Sequence, residues 1–140
     1  MRSSGVLFPA NPDIYLLDVR LMPHPLKSYE IEVLKLLLAQ EFSEDGVMQL
    51  LEGASSSKVE YTNYGFYISI THSAIGKPRR VHSGSASLSA RFGQHSAGFV
   101  AFLENDELTL EIHPWDGEAL PAAFRDSAPE VVHEVRIRKV

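Results

Sequence analysis

Ala97-Gly-Phe-Val-Ala-Phe-Leu-Glu-Asn-Asp-Glu-Leu-Thr-Leu-Glu-Ile-His-Pro-Trp115 reads as a β-hairpin that turns at Asn105-Asp106. Asparagine and aspartate both tolerate a positive φ, which a two-residue hairpin loop requires. With that turn, Leu103 faces Leu108, Ala101 faces Leu110 and Phe99 faces Ile112, so one side of the hairpin is continuously apolar. The other side pairs Phe102 with Thr109, Val100 with Glu111 and Gly98 with His113. The first arm, apolar on both sides, is expected to be a central strand, and the alternating second arm to be half-exposed. A slip of one residue would set leucine against glutamate along the ladder, so the pattern specifies its own register.

Upstream of the hairpin, the run from Ser28 to Gln40 places Ile31, Leu34, Leu37 and Leu38 at helical spacing, with Ser28 as the expected N-cap. Ser43, followed by Glu44 and Asp45, caps a second short helix that carries Val47, Leu50 and Leu51 and stops at Gly53. Ala54 to Ser57 reads as a linker. Val59–Thr62 and Phe66–Thr71 are β-branched and aromatic, with Asn63-Tyr64-Gly65 either a tight turn or a bulge in one bent strand. Arg79–His82, Ala86–Phe92 and Val131–Val140 read as further strands, and Ala122–Arg125 as a short segment after a loop. The expected fold class is α+β: two N-terminal helices packed on a mainly antiparallel sheet of about five strands, in one domain spanning 1–140. Residues 1–26, broken by Pro9, Pro12, Pro23 and Pro25, read as an N-terminal arm, irregular or with a short edge strand at Ile14–Val19.

At 140 residues and 44% apolar, the chain can bury one real core. Its 13 basic and 18 acidic residues, net charge −5, argue against a nucleic-acid partner, because phosphate contacts need a basic surface. The absence of cysteine removes disulfides, thiolate nucleophiles and cysteine-ligated zinc. No apolar run approaches the roughly 20 residues of a membrane helix, and the start lacks a secretory signal pattern, so a soluble cytoplasmic protein with no membrane partner is expected.

Candidate chemistry is sparse. The six histidines show no ligand spacing, and surface or loop histidines are the simpler reading, so neither metal nor cofactor is expected. His82-Ser83-Gly84-Ser85-Ala86 is the nearest approach to a nucleophile elbow, but no helix follows it. Charge distribution says more. From Phe99 to Glu134 there are nine acids and one base, Arg125, whereas Lys77 to Arg91 holds four bases and no acid. The hairpin register sets Glu104 opposite Glu107, beside Asp106, and like charges directly opposed are destabilising. A partner with basic groups would relieve that cost, and Glu111, Trp115, Asp116 and Glu118 extend the same end of the chain. Trp115 alone more often packs a loop onto a core than anchors an interface.

Val59-Glu-Tyr-Thr62, Gly65-Phe-Tyr-Ile-Ser-Ile-Thr-His72, Arg80-Val81, the Ala97–Trp115 block and Pro121-Ala-Ala-Phe-Arg125 together resemble the immunity proteins of bacterial contact-dependent inhibition and other polymorphic toxin systems. The resemblance covers roughly residues 58 to 126, and family members often carry Cys-His where this chain has Ile112-His113. It implies a non-enzymatic inhibitor of one cognate toxin domain, frequently a nuclease, whose active site or substrate groove it blocks. The acidic residues Glu104, Asp106, Glu107, Glu111, Asp116 and Glu118, with Trp115, are then the expected partner-binding set. A second reading is a small hydrolase or nucleotide-binding enzyme with a site around His72, His113, Glu111 and Asp116. A third is a structural homo-oligomer pairing through the second hairpin arm or the C-terminal strand.

Overall fold

The computed structural model describes residues 26–84, 88–115 and 117–133. Residues 1–25 of the expected arm (1–26), the strand positions Ala86 and beyond His133, and the site residue Asp116 lie outside that set. In chain order the elements are α1 (Ser28–Leu37), α2 (Glu44–Glu52), β1 (Ser56–Tyr61), β2 (Phe66–Thr71), β3 (Arg80–Ser83), β4 (Leu88–Phe92), β5 (His95–Glu104), β6 (Glu107–Pro114) and β7 (Glu130–His133). Short 3-10 turns occupy Ser73–Ile75 and Ala122–Ser127.

The hairpin of β5 and β6 forms in the expected register, from Ala97↔Pro114 to Glu104↔Glu107. Its turn residues have positive φ, 53° at Asn105 and 64° at Asp106. Leu103, Leu108, Leu110, Phe99 and Ile112 are each at most 1% exposed and share one core with Leu34, Leu37 and Leu38 of α1 and Val47, Leu50 and Leu51 of α2.

The sheet has seven strands, not about five, in the order β1-β2-β6-β5-β4-β7, with β3 also beside β5; every pairing is antiparallel. One added strand has a local cause. Thr62 Oγ1 accepts from the N–H groups of Tyr64 and Gly65, and Thr62 N–H donates to the Gly65 carbonyl (2.9 Å), so residues 62–65 are a tight turn between two strands and not a bulge. Gly65 is needed there, because a Cβ would lie 2.1 Å from the Ile112 carbonyl oxygen. On the far side, β3 pairs with Val100–Leu103 and β4 with His95–Ala97, so two short strands share one edge of β5 end to end.

Other boundaries also move. Lys27, not Ser28, caps α1, and the Glu30 carboxylate accepts from the Lys27 N–H (2.8 Å). The helix stops at Leu37, short of Gln40. Ser43 caps α2 as expected, its Oγ accepting from Gly46 N–H (3.0 Å). Ser56 and Ser57 belong to β1, opposite Thr71 and Ile70, instead of to a linker. The second hairpin arm is not a free edge, since β6 lies between β2 and β5.

Strand alternation then divides the sheet. Phe66, Ile68 and Ile70 of β2, Phe99, Ala101 and Leu103 of β5, and Leu108, Leu110 and Ile112 of β6 join the helices in the core. Tyr67, Val100, Phe102, Thr109, Glu111 and His113 lie on the opposite face and are only partly buried. The apolar side chains of α1 and α2 join the core on the first face.

Candidate functional site

The open face and the hairpin tip together hold the expected binding residues. At the tip, the turn is docked on the loop between β2 and β3. His72 N–H donates to the Asp106 carbonyl (2.9 Å), Asp106 N–H to the Gly76 carbonyl (2.8 Å) and Asn105 N–H to the Lys77 carbonyl (3.2 Å). The Asp106 carboxylate accepts from Gly76 N–H (3.1 Å) and from Lys77 Nζ (2.9 Å). The Lys77 hydrogen bond holds that carboxyl below its ordinary pKa.

Glu104 and Glu107 do oppose each other, but part of the relief comes from within the chain. Arg79 Nη1 donates to Glu104 Oε1 (3.0 Å), and its guanidinium lies 5.6 Å from the centre of the Phe102 ring. The basic stretch and the acidic tip, separate in sequence, therefore face one another. Arg79, Phe102, Glu104, Glu107 and Thr109 line a hollow of about 230 Å³. Among the described residues no ion pair reaches Glu107 or Glu111.

At the other end of β6, Trp115 is 46% exposed and lies across the sheet instead of plugging the core. Its ring stacks with His113 at 6.3 Å between centres, and the Trp115 backbone N–H donates to the Ser96 carbonyl (2.8 Å). Gly98 makes this possible: a Cβ there would sit 2.5 Å from Trp115 Cε3. Glu118 is exposed in the loop that follows.

Among the described residues of the enzyme reading, Glu111 and His113 share one face of β6, but His72 is not brought to them. His72 follows Thr71, which pairs with Glu107 at the tip, and its Nδ1 accepts from Ala74 N–H (2.9 Å). His113 stands six residues further along β6, roughly 20 Å away at the rise of an extended strand. His82 and Ser83 point to opposite faces, so they form no dyad. Among the described residues no group of three or more histidines, aspartates or glutamates could hold a metal ion.

Two charged clusters escaped the sequence reading. Glu41, just after α1, accepts from Arg80 Nε (3.1 Å) and pairs with His82 Nε2; desolvation pushes its carboxyl up, but these hydrogen bonds outweigh it and hold the pKa low. Glu30, fully buried, takes a two-pronged hydrogen bond from Arg125, Nε to Oε2 at 2.8 Å and Nη2 to Oε1 at 2.9 Å. Nothing local to Glu30 signalled a partner 95 residues away.

No protein-family model matches this chain, and no curated protein or solved structure matches it. Among the described residues no helix is long and apolar enough to cross a membrane.

Proposed function

We infer that this chain is an immunity protein, a non-enzymatic inhibitor acting in the cytoplasm, which binds a basic toxin domain through the open face of its sheet. The observation that carries the reading is the grouping on that face of Glu104, Glu107 and Glu111 around the half-exposed aromatics Phe102, His113 and Trp115. A partly dry aromatic centre with acids around it is what a basic protein surface would recognise. A nuclease, whose groove must attract phosphates, is the target the charge suits best. The chain's resemblance to immunity proteins over residues 58 to 126 supports the same reading.

The geometry redistributes the roles within the expected set. Asp106 and Glu104 are already paired with Lys77 and Arg79, so Glu107, Glu111 and Trp115 carry most of the recognition. The test is co-expression with the toxin encoded beside this reading frame, using Glu107→Lys, Glu111→Lys and Trp115→Ala combined. Expected are loss of protection, slower association, and a wild-type association rate that falls as salt rises. Full protection by the folded triple variant, with an unchanged association rate, would remove the open face as the binding surface.

A further inference from the structure

One edge of the sheet is formed by β1, which bonds to β2 alone; among the described residues no strand lies beyond it. At the end of that hairpin Thr62 N–H donates to Gly65 O. Backbone groups alternate sides along an antiparallel strand, so the residues in step with Thr62 address β2, while Ser57, Val59 and Tyr61 direct their N–H and C=O groups outward. The strand is regular from Ser56 to Tyr61, without proline or bulge, and so is a ready template for another strand. Lys58 and Glu60 share the open face, both exposed, and neither has an ion-pair partner among the described residues.

We propose that β1 pairs antiparallel with β1 of a second copy of this chain, about a two-fold axis at Val59, joining two sheets into one. In that register Val59 exchanges both backbone hydrogen bonds with its counterpart, and Ser57 does so with Tyr61 of the second copy. Every outward donor and acceptor of β1 is then satisfied. The same register sets Lys58 against Glu60 of the second copy, twice by symmetry. An axis at Lys58 would oppose two lysines, and an axis at Glu60 two glutamates; charge therefore selects Val59. Axes at Ser57 or Tyr61 overlap only the strand ends. The ladder is short beside the roughly 1,000 Å² that a stable interface buries, so the dimer is weak and depends on concentration. It uses the sheet edge and leaves the open face free, so it stands or falls independently of the inhibitor reading.

Sedimentation equilibrium from micromolar to millimolar protein tests it. The mass should rise from one chain to two. Lys58→Glu or Glu60→Lys alone should weaken the dimer roughly tenfold, because two attractive pairs become repulsive, and the two changes together should restore it. Val59→Pro removes an outward N–H that β2 does not use and should abolish the dimer while the thermal melt still shows a folded chain. A single-chain mass at the highest concentration overturns the proposal. So does a dimer that the single charge changes leave unaltered, or one that the paired change fails to restore.

Discussion

Two ion-paired regions tie together parts of this chain that are far apart in sequence, and they differ in how much water reaches them. Glu30 and Arg125 join the start of α1 to the 3-10 turn before β7, with exposures of 0% and 7%. At the hairpin tip, Asp106 with Lys77 and Glu104 with Arg79 join β5 and β6 to the loop before β3, where both bases are largely exposed. The distances are similar, 2.8 to 3.0 Å, although only the Glu30–Arg125 pair is two-pronged. The energetics differ: a buried charge stripped of its partner has no water to turn to, whereas an exposed one is resolvated and screened. The first region therefore holds the fold, and the second aligns a turn.

The largest expected effect is on the buried pair. Arg125→Ala leaves the Glu30 carboxylate uncompensated and should cost about 3–5 kcal/mol in denaturant unfolding. Replacing both partners, Glu30→Leu with Arg125→Met, should cost less than the single change; an equal or greater loss would mean that packing, not charge, dominates there. A purely apolar truncation gives the scale: Leu110→Ala, at 1% exposure, should cost about 2–5 kcal/mol.

The two regions should also weaken at opposite ends of the pH range. Burial first, and then the Glu30 charge, hold the Tyr29 hydroxyl protonated well above its ordinary pKa. In alkali the unfolded chain gives up a proton that the folded chain retains, so stability should fall as pH rises past about 10. Tyr29→Phe should flatten that loss in urea midpoints. Asp106 titrates below its ordinary value, so its contribution is present above the unfolded pKa and is lost as pH falls through the folded one. Lys77→Ala should reduce this acid dependence. The smallest effect is expected at Glu104→Gln, within about 1 kcal/mol, since the pair it breaks is exposed.

Three of the expected binding residues, Glu104, Glu107 and Glu111, were legible on one face because strand alternation and the Asn105-Asp106 turn place them from the chain alone. The seat of Trp115 was half legible: the register sets Gly98 opposite His113, but only the fold lays the indole across that glycine. That the tip acids would meet Lys77 and Arg79 was not legible, because it depends on the loop before β3 crossing the end of the hairpin.

Local periodicity determined what repeats locally: two amphipathic helices, the central hairpin and its register, and the side of it that becomes core. Tertiary structure alone decided that β3 and β4 share one edge of β5, that β6 lies inside the sheet and β1 at its margin, and that both helices cover the same face. It alone decided which charges meet. A hydrophobic period is set by the geometry of a single element and is written in consecutive residues, whereas an ion pair between segments 95 residues apart exists only once the topology brings them within reach.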